Sequence, residues 1–464
     1  MRNRYEARTE KAMDMIRGTA LLASCILVLG ISASNVVART WYIKADGTGD
    51  APTIQAGVDS AAAGDTVLVG AGSYSEASSV FIDGQFKTVN VYIGRMVFLL
   101  SESSETRPLI DGSESDIAVY VSNVQAEIAG FEIVTTFARF GCIIPAVSRS
   151  SEDIPLDDAG VRCDGGGVAV RDCVLHDHMQ AVVVNHAVGY VKNCDVYRTP
   201  LGIVYIAGSI GDVDDNSFHY CGSAVVADSS IISVTRNQFA PGEFLSCDGV
   251  EAGKSAQVSI VDNRFFNLYD IGINCGDVAS ATIEQNYFDG CHTAIQSITG
   301  RSVVVRRNLF VRHFWCINLF NVADWCIEGN TFDDGDLAVA CQGSLTGSVE
   351  FTRNVIARHG GGVFCAVGGG VKSVCNDFYE VASPFAGDCP DEIGVSGNIA
   401  LDPEFCGIDD SGNYFLQSDS PCAPGNHPNG YDCGLIGALP VNCGKVDVEK
   451  KSWGTIKSLY KKDG

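Results

Sequence analysis

The sequence predicts an all-β solenoid, namely a right-handed parallel β-helix with about 22 residues per coil. A short phrase carries this prediction: an apolar residue, two variable residues, usually Asn, one variable residue and a large apolar residue. It occurs about ten times between Val170 and Phe378. A period in the low twenties is typical of solenoids, in which one repeat cannot bury its apolar side alone. Apolar positions alternate within each copy, which is the period of strands and not of helices.

Residues one period apart become lateral neighbours when coils stack about 4.8 Å apart, so the phrase defines columns. Its fourth position, here called the marker, is occupied by Cys173, Cys194, Asn216, Asn237, Asn263, Asn286, Asn308, Asn330, Asn354 and Asn376. We expect a buried amide ladder there, because Asn can both donate and accept and tolerates turn conformations. The position two residues after the marker is mostly Phe, and the position nine residues after it is mostly Val or Ile. These columns predict an interior stack and a second buried strand.

Residues 1–38 are predicted to be an export signal, because basic residues precede an apolar run that is short for a membrane span. The sequence around Cys25 also fits a lipoprotein cleavage box. We therefore expect a secreted, periplasmic or cell-surface protein, and no other segment is apolar enough to cross a bilayer. The formal net charge of −24 disfavours nucleic acid and anionic lipid as partners. It also disfavours an acidic polysaccharide unless a divalent cation or a local basic patch intervenes. A monomer is expected.

Residues 39–400 are predicted to form the β-helix, with an N-terminal cap at 41–76 and regular coils at 168–380. In the cap, Thr53 is a suitable N-cap residue, and Ile54 and Val58 fall on one face of a short helix. A helix there would cover the open edge of the first coil.

The stretch DGTGDAPTIQAGVDSAAAGDTVLVGAGSYSE resembles the opening of pectin-lyase-like β-helix proteins. It is especially similar to pectinesterases, whose G-x-Y-x-E motif is matched by Gly72, Tyr74 and Glu76. The catalytic motifs of pectinesterases, polygalacturonases and pectate lyases are missing from the sequence. The resemblance therefore implies the fold of the right-handed parallel β-helix repeat group and leaves the activity open.

The interval 136–167 has little strand pattern and is predicted to be a long loop, which is where function tends to lie on a rigid scaffold. The next coil contains His176, Asp177, His178 and His186. They could act as acid and base on a sugar ring or bind a metal, or they could form an ordinary polar turn. Carboxylates of the loop suggest calcium as a cofactor, with the candidate ligands Asp157, Asp158 and Asp164.

Aromatic residues that fall near one register are candidates for binding sugar, namely Tyr197, Tyr220, Phe266, Trp315 and Tyr379. They could equally form an outer stack at a turn. Arg312, from a basic cluster, is a candidate for a substrate carboxylate. Alternatively, Arg312 belongs to a surface charge ladder with Asp334, Arg358 and Glu380, as Asp177 would with Arg198.

The many cysteines are compatible with disulfides in an exported chain. Cys173 and Cys194 share a column, as do Cys341 and Cys365, and each pair could be bonded or could be a buried thiol stack. Residues 401–444 are predicted to form a Cys-rich cap over the last coil. Its four cysteines allow three pairings, of which we prefer Cys406 with Cys443 and Cys422 with Cys433. The tail 445–464 is predicted to be a short basic amphipathic helix.

Three classes of function are compatible with the sequence. The first is an exported, carbohydrate-interacting protein without catalysis, with a polysaccharide or cell-surface glycan as its partner. The second is a polysaccharide lyase or glycoside hydrolase acting on an extracellular polysaccharide. The third is an adhesin-like surface scaffold.

Overall fold

The computed structural model describes residues 38–135, 156–241, 248–321, 323–343, 347–366, 370–407 and 413–443. From Thr40 onward these residues form a parallel β-helix of about 14 coils. Each coil contributes one strand to each of three parallel sheets, here called sheets I, II and III. The predicted fold class is confirmed.

Sheet I precedes the marker in each coil. Its strands are Thr40–Ile43, Asp65–Val69, Val97–Ser101, the second parts of Ile117–Ala129 and Ala159–Arg171, and then Val188–Lys192, Ile210–Asp214, Ile231–Thr235, Gln257–Val261, Ser280–Glu284, Arg301–Arg306, Ala323–Glu328, Val349–Thr352 and Val371–Val374.

Sheet II follows the marker. Its strands are Ser73–Tyr74, Leu109–Gly112, Glu132–Thr135, Val174–His176, the first parts of Asp195–Ile206 and Ser217–Asp228, and then Gln238–Ala240, Arg264–Phe266, Tyr287–Asp289, Leu309–Val311, Thr331–Asp333, Val355–Ala357 and Asp377–Tyr379.

Sheet III completes the coil. Its strands are Gln85–Ile93, the first parts of Ile117–Ala129 and Ala159–Arg171, Gln180–Asn185, the second parts of Asp195–Ile206 and Ser217–Asp228, and then Asp248–Gly253, Ile271–Cys275, Thr293–Ile298, Trp315–Phe320, Leu337–Gln342, Gly361–Cys365 and Ser383–Gly387.

The interior contains the two predicted apolar columns. From Phe218 to Phe332 the Phe rings stack with centroids 4.5–5.1 Å apart. The second column, which includes Ile203, Ile317 and Val363, is fully buried. Removing this apolar surface from water, at about 25 cal/mol per Å², is the main force that holds successive coils together.

The amide ladder is also confirmed, and it runs from Asn216 to Asn398. In each rung the side-chain oxygen of one Asn accepts two hydrogen bonds from the preceding Asn. One comes from the backbone N–H at 2.8–2.9 Å and one from Nδ2 at 3.0 Å. The residue before the marker has positive φ in coil after coil, as at Asp215 and Arg236. The ladder therefore satisfies polar groups at a turn that cannot use sheet hydrogen bonds.

The N-terminal helix spans Ile54–Ser60 and is the helix predicted for the cap. Thr53 caps it by accepting a hydrogen bond from the backbone N–H of Ala56 at 3.1 Å. Ile54 and Val58 are buried against the first coil.

A hairpin that the sequence did not reveal follows the cap. Strand Ser78–Ile82 pairs antiparallel with the start of Gln85–Ile93. Ile82 packs with Val89, Tyr120 and Val183, which belong to the early strands of sheet III. The hairpin therefore shields the N-terminal part of the outer face of sheet III.

The predicted loop 136–167 is too long at its C-terminal end. Ala159–Arg171 is a continuous strand that pairs with Ile117–Ala129 on one side and with the following coil on the other. Its glycines misled the sequence reading. Gly165 and Gly166 have positive φ and form the corner between sheets III and I. The stretch 136–155 lies outside the described residues.

The C-terminal region is rich in disulfides, as predicted, but it does not simply close the last coil. Residues 401–407 and 413–443, here called the C-terminal strap, lie along the outer face of sheet II and reach back over several coils. Tyr414 donates a hydrogen bond from Oη to Asp333 at 2.7 Å. The backbone N–H of Ala438 donates to Oγ1 of Thr331 at 2.9 Å. Apolar strap residues pack on sheet II around Val311 and Val355.

The disulfide predictions are partly right. Cys406 is bonded to Cys443, as predicted. The predicted bond between Cys422 and Cys433 is wrong, because Cys433 is bonded to Cys375.

The remaining cysteine columns answer the question that the sequence left open. Cys365 is bonded to Cys389 and not to Cys341. Cys173, Cys194 and Cys341 are buried free thiols. The thiol-stack alternative therefore holds for the column of Cys173 and Cys194.

The predicted export signal, with Cys25, and the basic tail 445–464 lie almost entirely outside the described residues, so both stay predictions. Within the described part of the chain, no helix is both long and apolar enough to cross a membrane.

Candidate functional site

The predicted histidine coil places His176 on the outer face of sheet II. Its ring stacks on Tyr197 with centroids 4.8 Å apart, and Tyr197 stacks on His219 at 4.9 Å. His176 Nδ1 lies 2.7 Å from Asp177 Oδ2, and Nε2 lies 3.0 Å from Glu132 Oε1. The structure thus brings together His176, Asp177 and Tyr197, and it adds His219, which sequence reasoning missed.

Arg198 completes this group. It forms an ion pair with Asp177, as the predicted charge ladder required, and its Cζ lies 5.0 Å from the ring centroid of Tyr197. Burial opposes ionisation of Asp177, but hydrogen bonds from His176 and Arg198 still lower the pKa of its carboxyl. Asp177 is therefore a charge partner, and it is poorly suited to donate a proton.

His178 and His186 do not join His176. His178 is fully buried, with Nδ1 2.9 Å from Oγ1 of Thr135 and Nε2 3.0 Å from the carbonyl oxygen of Ile133. Burial, helped by the nearby His176, lowers the pKa of His178 to about 3. His186 is exposed at a turn with positive φ after the sheet III strand Gln180–Asn185. A neutral interior imidazole such as His178 stabilises the fold and is out of reach of a polymer.

Two of the three aspartates expected to bind calcium have separate partners, and burial, with the charges of Asp157 and Asp116, raises the pKa of the third, Asp158. Asp157 accepts a hydrogen bond from Nζ of Lys87 at 2.6 Å. Asp164 pairs with Arg162 at 2.7 Å and accepts from Nδ2 of Asn185 at 3.0 Å. No three His, Cys, Asp or Glu side chains within the described ranges are gathered so that they could hold a metal ion.

The remaining substrate-binding candidates are spread over two sheets. Tyr220 lies beside His219 on sheet II, with centroids 5.7 Å apart. Arg312 donates from Nε to Oδ1 of Asp289 in the preceding coil at 2.9 Å. Its partner is therefore not Asp334, although the expected role as a ladder residue is the observed one. Arg358 binds Asp333 in the same way. Trp315 lies on sheet III.

Sheet III displays a second set of polar residues, here called the sheet III strip: Asp248, Glu251, Asn274, Thr293, Gln296, Trp315 and Asn318. Each strand bends near its start, so that two consecutive residues face the interior. A Cβ on Gly249 would meet the interior ring of Phe265, and Val250 belongs to the core. Asp248 and Glu251, on either side of this bend, therefore both face outward.

Asp248 is the most unusual carboxyl of the strip. It is 2% exposed, and Oδ1 accepts a hydrogen bond from the backbone N–H of Ile271 at 3.1 Å. Oδ2 has no hydrogen-bond partner in the described structure. Burial raises the pKa of Asp248 well above its usual value, and the nearby charges of Asp270 and Glu251 raise it further. Such a group keeps its proton to a higher pH than an ordinary carboxyl.

Glu251 is only partly buried and pairs with Val226 in the sheet register. One of its oxygens accepts a hydrogen bond from Oγ of Ser223 at 3.2 Å. The strip thus begins with a buried carboxyl of raised pKa beside a second, more accessible carboxyl. A pair of carboxyl groups with different pKa values is the usual arrangement for acid and base catalysis on a glycosidic bond.

Amides continue the strip along the axis of the β-helix. Glu251, Asn274, Gln296 and Asn318 are successive partners in the parallel register. The side chains of Asn274 and Gln296 are partly exposed, and the described residues offer them no hydrogen-bond partner. Trp315 and Phe314 lie at the end of the strip away from Asp248, with ring centroids 5.4 Å apart, and Phe314 is 47% exposed. Free amides and aromatic rings are the groups that bind sugar hydroxyls and sugar faces.

Comparison with known proteins supports the fold. The family described as "Right handed beta helix region" matches residues 159–310 and 225–378. No curated protein sequence matches the chain.

Several solved structures are similar in fold. XylC in complex with xylose shares 10% identity, with 80% of this chain and 88% of that chain covered and a TM-score of 0.49. The surface protein and adhesin PfbA of Streptococcus pneumoniae shares 12% identity, with 69% and 90% covered and a TM-score of 0.44. The pectate lyase Pel9A shares 12% identity, with 89% and 98% covered and a TM-score of 0.39. The chain thus folds as a right-handed parallel β-helix, and residues 159–378, a little under half of the chain, are similar to the right handed beta helix region family.

Proposed function

We propose that this protein is an exported glycoside hydrolase that binds a neutral polysaccharide along the sheet III strip. The observation that carries the proposal is Asp248, a nearly fully buried carboxyl with a free oxygen and a raised pKa, which lies beside Glu251. Burying a carboxyl without full hydrogen bonding costs free energy. A structural role would not require that cost, whereas a proton donor does.

In this proposal Asp248 is the general acid and Glu251 the general base. The glycosidic C–O bond breaks as the proton of Asp248 passes to the leaving oxygen. A water molecule attacks the anomeric carbon, and its proton passes to Glu251. Both carboxyl groups return to their starting states when the proton gained by Glu251 is lost to solvent and Asp248 is protonated again.

The charge of the strip favours hydrolysis of a neutral polymer over elimination on a uronic acid. A lyase needs a cation to neutralise the carboxylate of its substrate, and the strip contains no lysine or arginine. Lys254, at its edge, lies 3.8 Å from Asp228. A negatively charged polymer would meet the nearby acidic groups of Glu251 and Asp270, which disfavour an anionic ligand.

The length of the strip favours a polymer over a small sugar. Successive rungs are about 4.8 Å apart, which is close to one pyranose ring per rung. The free amides of Asn274 and Gln296 would bind hydroxyl groups, and Trp315 would support a ring. Export is consistent with the predicted signal and with three disulfides, which persist in oxidising compartments.

A reducing-end assay of the purified protein on neutral polysaccharides, with polyuronates in parallel, tests the proposal. We expect turnover of a neutral polymer that falls at least about 100-fold in Asp248→Asn and Glu251→Gln, because each loses acid or base catalysis. Asp262→Asn is a matched control, since Asp262 is exposed at the opposite side of its coil.

Three results would count against hydrolysis. Products with a new double bond would indicate a lyase. Binding of polysaccharide without turnover would leave a binding protein of the adhesin or envelope kind. Full activity in Asp248→Asn would remove Asp248 from the reaction.

A further inference from the structure

A groove on the outer face of sheet II lies outside the proposed catalytic strip. It has a volume of about 330 Å³, within the range of small-ligand sites. Its polar lining comes from three successive coils and one earlier turn. These residues are Arg107, Asn193, Asp195, Asp215, Ser217, Arg236 and Gln238. The groove lies in the part of sheet II that precedes the C-terminal strap, whose contacts on this sheet begin near Tyr287.

Hydrogen-bonding capacity is left over in this groove. Arg107 donates from Nε to the carbonyl oxygen of Asp172 at 3.4 Å, and the described residues offer its other guanidinium nitrogens no partner. The side chains of Ser217 and Gln238 are exposed and likewise have no partner there. Oδ1 of Asp195 is buried and accepts no hydrogen bond, although it lies 3.3 Å from Nδ1 of His219.

The formal charges of the lining cancel. Arg107 and Arg236 are balanced by Asp195 and Asp215. Asp214, which forms an ion pair with Arg236, is itself balanced by Lys192, so this pairing leaves the sum unchanged. A balanced site has no net attraction for an anion or a cation. Its unused donors and acceptors, placed side by side, suit a neutral ligand that carries many hydroxyl groups.

The ring stack of sheet II borders the groove. His219 contacts Asp195 and stacks on Tyr197, which in turn stacks on His176. The three rings pack face to face, and two of them are imidazoles, so the stack places aromatic edges and ring nitrogens next to Asp195 at the border of the groove. Aromatic rings beside convergent polar groups are the usual composition of a sugar-binding site.

We propose that the groove is a second saccharide-binding site, which holds a short neutral stretch of the same polysaccharide that the sheet III strip hydrolyses. The ligand class rests on the proposed function, whereas the site itself rests on the groove. Arg107 donates to sugar oxygens, Asp195 and Asp215 accept from hydroxyl groups, and Ser217 and Gln238 do both.

A second site on another sheet would act by tethering. The strip and the groove face different sides of the β-helix, so one run of sugar rings does not fill both. A polymer held in the groove keeps its neighbouring segments at a high local concentration near the strip, which raises apparent affinity without any change in the catalytic groups. Short oligosaccharides cannot bridge the two sites and would gain nothing from the groove.

The test uses Asp248→Asn as a background that binds without turnover. Neutral glucan, mannan and xylan tetrasaccharides are titrated by isothermal calorimetry, with a tetragalacturonate as the charged comparison. We expect two binding events per chain with the neutral tetrasaccharide of the cleaved polymer. The change Arg107→Ala with Asp195→Asn should remove one event. The control Arg301→Ala with Asp262→Asn, which alters exposed residues of sheet I and the following turn, should leave both.

A kinetic comparison keeps this inference separate from the function. In the otherwise wild-type protein, we expect Arg107→Ala with Asp195→Asn to raise KM on the polymer about 10-fold or more, with kcat and tetrasaccharide cleavage unchanged. Two binding events that persist after the groove changes, or no binding of any tetrasaccharide, overturn the groove. Absence of turnover, with binding in the groove retained, overturns only the hydrolase.

Discussion

Replacing Asn308 by Ala in the middle of the amide ladder should destabilise the protein strongly. Oδ1 of Asn308 accepts from the backbone N–H of Asn286 at 2.9 Å and from its Nδ2 at 3.0 Å. Nδ2 of Asn308 donates to the carbonyl oxygen of Ile283 at 2.9 Å and to Oδ1 of Asn330 at 3.0 Å. The residue is fully buried, so water cannot replace these bonds without opening the coil.

The expected loss follows from the groups left without partners. In Asn308→Ala, the backbone N–H of Asn286 loses its acceptor. One N–H of the Asn286 side-chain amide also loses its acceptor. Each unsatisfied buried group costs about 1–3 kcal/mol, and the cavity adds a smaller term. We therefore expect the free energy of unfolding to fall by about 3–5 kcal/mol, which is a large part of the stability of an ordinary domain.

Urea unfolding followed by far-ultraviolet circular dichroism measures this loss. The control is Gln257→Ala, an exposed amide in a sheet I strand, which should change stability by no more than about 0.5 kcal/mol. The slope of unfolding free energy against urea should be the same in all three proteins if the coils unfold together. A loss below about 1 kcal/mol for Asn308→Ala, with an unchanged slope, would refute the view that the ladder satisfies buried groups that nothing else can reach.

Three further changes test the interior and the strap. Burial raises the pKa of Asp377 to about 7 in the folded protein. As pH rises, the unfolded chain therefore loses this proton before the folded protein does, and the free energy of unfolding should fall between about pH 4 and pH 7. In Asp377→Asn this fall should be smaller by roughly 3–4 kcal/mol, as measured by denaturation at several pH values, and the same pH dependence in the variant would contradict the expectation. Cys433→Ser should destabilise the strap by about 2–5 kcal/mol and speed its proteolysis, whereas Cys422→Ser, at a free thiol, should not speed it. His178→Ala should cost about 2–3 kcal/mol on thermal unfolding and leave polysaccharide cleavage intact, and lost cleavage in a folded variant would return His178 to the site.

Much of the fold could be predicted because every coil of a solenoid must bury its apolar side and satisfy its turns in the same way. The Phe column and the Asn column occupy equivalent positions, so a single period revealed both. The elements that do not repeat gave no such signal. The hairpin around Asp83 and the strap around Tyr414 occur once, and their positions depend on surfaces that exist only after the coils have stacked.

The disulfides and ion pairs show which contacts the columns of the repeat predict and which they do not. Cys375 and Cys433 are 58 residues apart in sequence, and the strap brings them together from outside the repeat. Arg312 was placed correctly in an outward column, but its partner is Asp289 and not Asp334. A long side chain can reach the neighbouring column of the preceding coil, and register alone does not fix that choice.

The candidate site was harder to predict than the fold because its chemistry comes from an exception to the repeat. Asp248 and Glu251 lie in the longest coil of the regular region, from Asn237 to Asn263, after an insertion that lengthens their distance from the marker Asn237. They fall outside every column that the sequence defines. The histidine coil, by contrast, is conspicuous in sequence, yet it divides its residues among an interior position, sheet II and sheet III.

The two amide columns of the protein show how one residue type can serve stability or binding. Inside, each Asn from Asn216 to Asn376 has both its oxygen and its nitrogen engaged by neighbouring coils, so the column has nothing left to offer a ligand. Outside, Asn274 and Gln296 repeat at the same rung spacing but have no partner of their own in the described structure. A ladder that satisfies itself holds the coils in register. The free amides beside Asp248 repeat at the spacing of the coils. A polymer of sugar rings is the ligand whose repeat would match that spacing.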